Sequence, residues 1–188
     1  IARGSSWLLG KIGADVLPAA LSLMEDPHRA RVSGSRPFDA EGLPTRPRAI
    51  IENGRLTGWT TDLASARKLG LDSSANAARG VSAAPSPSNW NVALTQGTAS
   101  RADLLKDMGT GLLVTSMIGA TISPTTGDYS RGASGFWVEN GEIAYPVHEI
   151  TIAGNLVQMF KNIVAVGADE YTTGGKTVGS ILIDSMMI

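Results

Sequence analysis

Two short apolar runs in this sequence are each split by an Asn-Gly pair. They span residues 49–59 and 135–145, with Asn-Gly at positions 53–54 and 140–141. Asn and Gly both accept the positive φ angles that a type I′ turn requires, and such a turn joins two antiparallel strands directly. The pattern therefore predicts two β-hairpins.

Further apolar runs predict strands at residues 90–95, 112–122 and 178–184. The run at 112–122 is partly β-branched, which is typical of a buried strand. Between residues 26 and 47, Pro, Gly, Arg and Ser dominate, and this composition predicts a long irregular loop.

Helical spacing predicts helices at residues 62–69 and 152–166 and a weaker one over 5–21. In the second of these, one apolar stripe is formed by Leu156, Met159, Phe160, Ile163 and Val164. Strands outnumber helices. The sequence therefore predicts an α+β fold, a mostly antiparallel β-sheet with β-hairpins and a few packed helices.

Length and charge narrow the class of protein. The chain has 188 residues, 43% of them hydrophobic, which suits one folded domain. Sixteen basic and seventeen acidic side chains leave a net charge of -1 without a basic stripe, so we expect no nucleic-acid partner. Polar residues interrupt every apolar run well before the roughly 20 residues that a membrane helix needs, so we expect no membrane segment.

Cysteine and histidine content limits the available chemistry. The chain has no cysteine, which excludes disulfides, thiol nucleophiles and thiolate zinc ligands within these residues. His28 and His148 are the two histidines, and neither belongs to an H-E-x-x-H helix. We therefore assign no catalytic residue and no metal ligand to this chain.

The segment at residues 127–135 concentrates polar chemistry. It holds three glycines, an acid, a base and three hydroxyl groups directly before an apolar run. Glycine allows a close backbone approach, and the polar side chains supply hydrogen-bond donors and acceptors. Two interpretations are open: a binding segment, or a tight polar connection whose groups satisfy one another.

Several motifs together resemble the C-terminal half of the TldD/PmbA family, and most closely its PmbA (TldE) branch. They lie at residues 4–6, 34–39, 41–46, 65–71, 127–143, 145–147 and 151–156. An older name, modulator of DNA gyrase, also belongs to this family. The opening residues Ile1-Ala2-Arg3-Gly4 are not typical of a natural start, so we expect residues 1–188 to be the C-terminal domain of a longer protein.

The resemblance implies a cytoplasmic metallopeptidase complex that acts on peptides or partly unfolded proteins. Zinc would belong to a TldD-type subunit, with an H-E-x-x-x-H helix and a cysteine, and this chain would be the non-catalytic partner without a cofactor of its own. The expected partners are a TldD-type subunit, or a second copy by self-association, and a peptide substrate. Two alternatives stay open: a stand-alone peptide-binding module, and a self-sufficient zinc peptidase whose metal helix lies upstream.

Within this resemblance, the segment at residues 127–135 becomes the predicted peptide contact. Arg131 offers a bidentate fork for a carboxylate, and the glycine-flanked backbone could pair with an extended peptide. The predicted peptide-binding residues are Asp128, Tyr129, Ser130 and Arg131, with His148 and Asn155 as neighbours.

Overall fold

The computed structural model describes residues 1–188, apart from the side chain of residue 120. Its elements, in chain order, are β1 (Leu23–Glu25), β2 (Arg48–Glu52), β3 (Arg55–Leu56), α1 (Leu63–Leu69), β4 (Ala77–Ala78), β5 (Ser86–Pro87), β6 (Val92–Leu94), α2 (Arg101–Met108), β7 (Gly111–Ile122), β8 (Asp128–Glu139), β9 (Glu142–Asn155), α3 (Leu156–Lys161), β10 (Ile163–Val166), β11 (Tyr171–Thr173), β12 (Lys176–Val178) and β13 (Ile181–Ile183). No helix in the described chain is long and apolar enough to cross a membrane.

The chain folds as two compact units. Unit 1 consists of Ile1–Gly4, Gly10–Thr95 and Tyr171–Val178, and unit 2 of Ser5–Leu9, Gln96–Glu170 and Gly179–Ile188. Strands dominate both units, and the described strand pairs are antiparallel except for β6 with β12. The predicted α+β fold with a mostly antiparallel sheet is confirmed.

Unit 1 contains a sheet with the strand order β11-β12-β6-β1-β2-β3. The first predicted hairpin, β2–β3, lies at its edge, and Asn53 and Gly54 have φ angles of 49° and 80°, as a type I′ turn requires. Helix α1 begins at the N-cap Asp62, whose carboxylate accepts a hydrogen bond from the amide of Ser65 at 2.7 Å. The helix predicted at residues 62–69 is thus confirmed, with a capping box at its start.

The predicted irregular loop at residues 26–47 is confirmed and is held by specific contacts within unit 1. The guanidinium of Arg36 lies 4.8 Å from the ring centroid of Trp90, in a cation–π contact. One carboxylate oxygen of the buried Asp39 accepts hydrogen bonds from the amides of Glu41 and Leu43, and the other accepts one from Ala77. In this loop, side chains provide the hydrogen bonds that backbone amides would receive from a neighbouring strand in a sheet.

Unit 2 contains the longest strands, β7, β8 and β9, which form one three-stranded antiparallel sheet with β8 in the middle. Strands β8 and β9 form the second predicted hairpin, and Asn140 and Gly141 have φ angles of 52° and 79°. This hairpin is confirmed. Strands β10 and β13 form a separate antiparallel pair in the same unit.

Two helix predictions differ from the structure. Residues 5–21 form turns, because Gly10 and Gly13 have φ angles of 69° and 82°, which a right-handed helix cannot contain. Of residues 152–166, α3 takes only Leu156–Lys161, since β9 continues to Asn155 and β10 follows. The apolar stripe at helical spacing is therefore shared between a helix and a strand.

The strand predicted at residues 112–122 exists, but the prediction that it is buried is wrong. From Thr115 onward the described residues of β7 are exposed. Successive side chains on a strand point to opposite faces, so this end of β7 is exposed on both.

Candidate functional site

The polar segment at residues 127–135 is a central strand rather than a loop. Asp128 begins β8, which pairs along its length with β7 on one side and with β9 on the other. The backbone groups that β-augmentation would use are therefore already bonded within the sheet. An extended peptide cannot pair with this backbone, which corrects the mechanism expected from the sequence.

Strand geometry divides the four consecutive predicted residues between two faces of the sheet. Side chains alternate along a strand, so Asp128 and Ser130 share one face, and Tyr129 and Arg131 share the other. A loop could have gathered all four around one ligand. The strand presents at most two of them to the same molecule.

Asp128 and Asn155 lie opposite each other at the end of the β8–β9 pair and are hydrogen-bonded. The amide nitrogen of Asn155 donates to a carboxylate oxygen of Asp128 at 3.0 Å, and the hydroxyl of Thr126 donates to the other at 2.6 Å. The amide oxygen of Asn155 accepts from the backbone amide of Val157 at 3.0 Å and so caps α3. These polar groups satisfy one another, as in the second interpretation of the segment.

The hydrogen bond from Thr126, and next the one from Asn155, hold the pKa of Asp128 below its ordinary value. A lowered pKa means that the ionised carboxylate stabilises the folded state above the ordinary carboxyl range, and that this contribution is lost as the pH falls through the lowered pKa. We expect Asp128→Asn to lower the melting temperature at pH 7 and to have a progressively smaller effect as the pH falls below 4. Thermal melts across this range, with the exposed Asp72→Asn as control, check the prediction. An effect of Asp128→Asn that does not change with pH would contradict it.

Tyr129 and Arg131 are half-buried on the other face of β8. The hydroxyl of Tyr129 lies 3.3 Å from the sulfur of Met117, and Arg131 lies opposite the buried Ile152. Among the described residues, the buried Nε of Arg131 has no hydrogen-bond partner. Buried donors are normally paired, so the described contacts leave hydrogen-bonding capacity on this guanidinium unused.

His148 does not join the other predicted residues. The register shifts between Ala133 and Gly135, which leaves His148 and Glu149 in a bulge of β9, and Glu149 has a φ angle of 56°. The bulge lies six residues along β8 from Asp128, or roughly 20 Å at about 3.3 Å per residue. The side chain of His148 is exposed and lies 3.8 Å from the carboxylate of Glu149.

A cleft of about 770 Å³ in unit 2 was not foreseen from the sequence. Tyr129 lines it together with four of the six methionines of the chain, Met108, Met117, Met159 and Met186. Methionine side chains are flexible and adapt to apolar partners of varied shape. These methionines come from distant parts of the chain, so no local pattern identifies them as a group.

Zinc does not fit the side chains of this chain that the structure describes. No three His, Asp or Glu side chains of that part of the chain are grouped closely enough to hold a metal ion. The Nε2 atom of His28 lies 3.0 Å from the hydroxyl of Thr45, in the ordered loop of unit 1, whereas His148 belongs to unit 2. Zinc sites in proteins use three or four convergent ligands, usually His or Cys.

Comparison with known proteins places this fold in a family. The family described as the PmbA/TldA metallopeptidase C-terminal domain matches residues 1–188. The chain is 50% identical to "Metalloprotease PmbA" of Escherichia coli O157:H7, over 99% of the chain and 39% of that protein. It is 27% identical to "Metalloprotease TldD homolog" of Buchnera aphidicola subsp. Acyrthosiphon pisum, over 89% of the chain and 35% of that protein.

A crystal structure of a protein from Thermotoga maritima, named there as a candidate modulator of a DNA gyrase, has the same fold. It superposes with a TM-score of 0.85 and 35% identity, over 98% of this chain and 42% of that chain. The chain thus belongs to the PmbA/TldA metallopeptidase family and comprises its C-terminal domain. It spans about two fifths of the length of the relatives that it matches.

Proposed function

We propose that this chain is the C-terminal region of a PmbA/TldE-type subunit, the non-catalytic partner in a TldD/PmbA metallopeptidase complex. The complex acts on peptides or partly unfolded proteins in the cytoplasm. A TldD-type subunit would hold the zinc, which would supply Lewis-acid chemistry for peptide hydrolysis. This chain shapes the path of the peptide and stabilises the complex.

The observation that carries the proposal is the difference in identity between the two branches of the family. Identity is 50% to a PmbA protein over 99% of the chain and 27% to a TldD homologue over 89% of the chain. The available zinc ligands agree with assignment to the PmbA branch. The chain has two histidines, which lie in different units, and no cysteine, and these do not make a zinc site. The cytoplasmic location rests on the family resemblance alone.

The face of β8 that carries Tyr129 and Arg131 is the better candidate for peptide contact. Tyr129 lines the methionine-rich cleft, which suits apolar side chains of varied shape. Arg131 lies two residues further along the same face, and its Nε lacks a partner among the described residues. A peptide held here would place an apolar side chain in the cleft and a carboxylate on the guanidinium.

The proposal is tested by purifying the protein with and without a TldD-type subunit from the same genome. We expect a stable complex, zinc in stoichiometric amount only when the TldD-type subunit is present, and peptide hydrolysis only by the complex. A protein that never associates with this subunit but binds peptides would instead be a stand-alone binding module.

The name of the PmbA relative favours one other function. That relative is called a metalloprotease, and the chain covers 39% of it, so an H-E-x-x-x-H helix encoded upstream would make the protein a self-sufficient zinc peptidase. One zinc ion per subunit and hydrolysis without the TldD-type subunit would establish this second function and overturn the first.

Replacing Arg131 by Ala tests the peptide contact. Loss of a charge-assisted hydrogen bond costs about 1.5–3 kcal/mol, so we expect turnover at low substrate concentration to fall about 10- to 100-fold. A quenched-fluorescent peptide library with free C-terminal carboxylates is the substrate, and the reconstituted complex is the enzyme. The melting temperature should stay nearly unchanged.

The matched control is Arg131→Lys, which keeps the charge but loses the planar fork, and it should retain part of the activity. Early unfolding of the alanine variant with normal turnover per folded molecule would show that Arg131 is structural.

A further inference from the structure

Residues 185–188 lie against the outer edge of β9, within unit 2, and we call them the strap. Met187 pairs antiparallel with Ala153. The backbone amide of Met187 donates to the carbonyl oxygen of Ala153 at 3.2 Å, and the amide of Ala153 donates to the carbonyl oxygen of Met187 at 3.0 Å. Because β8 occupies the other side of β9, the strap adds one residue pair of a further strand to this sheet.

The strap also forms part of the wall of the methionine-rich cleft. Side chains alternate along an extended segment, so Met186 and Ile188 point to one face and Met187 points to the other. Met186 and Ile188 line the cleft together with Ile152 of β9, whereas Met187 is 70% exposed. The strap thus presents two apolar side chains, at alternate positions, to the cleft that we propose for peptide contact.

Few interactions hold the strap in place. Of the hydrogen bonds that the structure describes, the strap takes part only in the two with Ala153. Ser185, at its start, has a φ angle of 60°, which residues other than glycine rarely adopt. Segments with so few hydrogen bonds open locally at a much lower free energy than the strands of a sheet do. The edge of β9 at Ala153 can therefore exchange one pairing partner for another.

We propose that the strap holds the place of a peptide substrate, and that an extended peptide with apolar side chains at alternate positions displaces it. The peptide backbone takes over the two hydrogen bonds with Ala153, and its apolar side chains replace Met186 and Ile188 in the cleft. The strap and the peptide use the same backbone groups, so they exclude each other. The seated strap therefore lowers the apparent affinity for the peptide. This inference rests on the proposed peptide contact of unit 2.

The edge at Ala153 is occupied rather than bare, and a segment of the same unit occupies it. Recognition of a peptide by β-augmentation combines backbone pairing at a sheet edge with side chains in a neighbouring groove, and the strap makes both kinds of contact. Backbone pairing is independent of sequence, and methionine side chains adapt to different apolar groups. This mode of binding therefore suits extended segments of varied sequence, as partly unfolded proteins expose them.

Met187→Pro tests the displacement in the full-length protein. Proline has no amide hydrogen, so the strap loses one of its two hydrogen bonds while β9 is unchanged. The probe is the fluorescein-labelled peptide Thr-Leu-Thr-Ile-Thr, whose apolar side chains lie at alternate positions. We expect fluorescence anisotropy to show about 3- to 10-fold tighter binding of this probe by Met187→Pro than by the wild type, the factor that corresponds to one hydrogen bond.

Two matched controls accompany this measurement. Met187→Ala keeps the amide hydrogen and changes only an exposed side chain, so it should bind the probe as the wild type does. The peptide Thr-Leu-Ile-Thr-Thr has the same composition but points its apolar side chains to opposite faces. It should bind about 10-fold more weakly, because only one of them can enter the cleft. Equal affinity of Met187→Pro and Met187→Ala, or of the two peptides, overturns the proposal.

Hydrogen exchange at residues 150–155, measured by mass spectrometry, locates the bound peptide. We expect faster exchange there in Met187→Pro than in the wild type, and renewed protection when the probe is saturating. A probe that binds without restoring protection lies elsewhere, which overturns this proposal and leaves the proposed function intact. Absence of probe binding by every variant also overturns it, and peptide hydrolysis by the reconstituted complex then decides separately whether the proposed function stands.

Discussion

Replacing Gly135 by Ala will destabilise unit 2 strongly. Gly135 lies in the middle of β8 between Val114 and Val147. A Cβ atom at this position would lie 1.9 Å from the carbonyl oxygen of Leu113 and 2.9 Å from its carbonyl carbon. Both are backbone atoms of the neighbouring strand, so they cannot rotate away. We expect the free energy of unfolding to fall by about 3 kcal/mol, the upper end of the usual cost of overpacking.

Gly132→Ala is the control for this prediction, because Gly132 lies three residues earlier on the same strand. Its Cβ atom would meet its nearest neighbour, the carbonyl oxygen of Ile118, at 3.5 Å, which is ordinary van der Waals contact. We expect this variant to be at least as stable as the wild type, because alanine loses less backbone entropy on folding than glycine does. Urea denaturation followed by tryptophan fluorescence measures both variants. Equal stabilities would show that the sheet opens at Gly135 at little cost.

Replacing Arg48 by Met will destabilise unit 1 by about 3–5 kcal/mol. Glu25 is 2% exposed, and one of its carboxylate oxygens accepts a hydrogen bond from Nε of Arg48 at 2.7 Å. The other oxygen accepts from the side-chain amide of Asn76 at 2.9 Å and from the backbone amide of Trp90 at 2.5 Å. Removing Arg48 leaves a buried negative charge without a counter-ion, which is the costly way to break such a pair.

Two further variants separate this effect from a general loss of charge. Arg55→Met removes an exposed pair, in which Arg55 lies 3.4 Å from Asp15, and should cost at most about 1 kcal/mol. Glu25→Gln in the Arg48→Met background removes the buried charge itself and should restore part of the lost stability. Urea denaturation compares the three. A mild effect of Arg48→Met, equal to that of Arg55→Met, would mean that water reaches Glu25 and solvates it.

The local parts of the fold could be predicted from the sequence because they depend on neighbouring residues. Asn-Gly at positions 53–54 and 140–141 determines both hairpins, since these residue types accept the required φ angles at little cost. The N-cap of α1, Asp62, lies three residues before its hydrogen-bond partner Ser65, so the start of this helix depends only on neighbouring residues. The motifs that carry the family resemblance also follow one another along the chain, so they can be recognised without the tertiary structure.

Tertiary contacts determined the secondary structure of the apolar segment after residue 151. Ile152 pairs with Arg131, and Ile163 pairs with Ile183, so both ends of the segment form β-strands. Only Leu156–Lys161 is left to form a helix, after Asn155 caps it. Helical spacing of apolar residues indicates that they could line one face of a helix. The same residues can also be buried in strands that pair with distant parts of the chain, and here those strands form instead.

The candidate site likewise has features that the sequence determines and features that only the tertiary structure determines. Its residue types, an Arg and a Tyr between glycines, are visible in the sequence, and so is the absence of cysteine. The sequence alone did not determine that the segment is the central strand of a sheet, which places Asp128 and Arg131 on opposite faces and His148 roughly 20 Å from Asp128. Which residues share a face and which cleft they line depends on pairing between residues far apart in the chain. Only the tertiary structure decides that pairing, because a strand's neighbours come from elsewhere in the sequence.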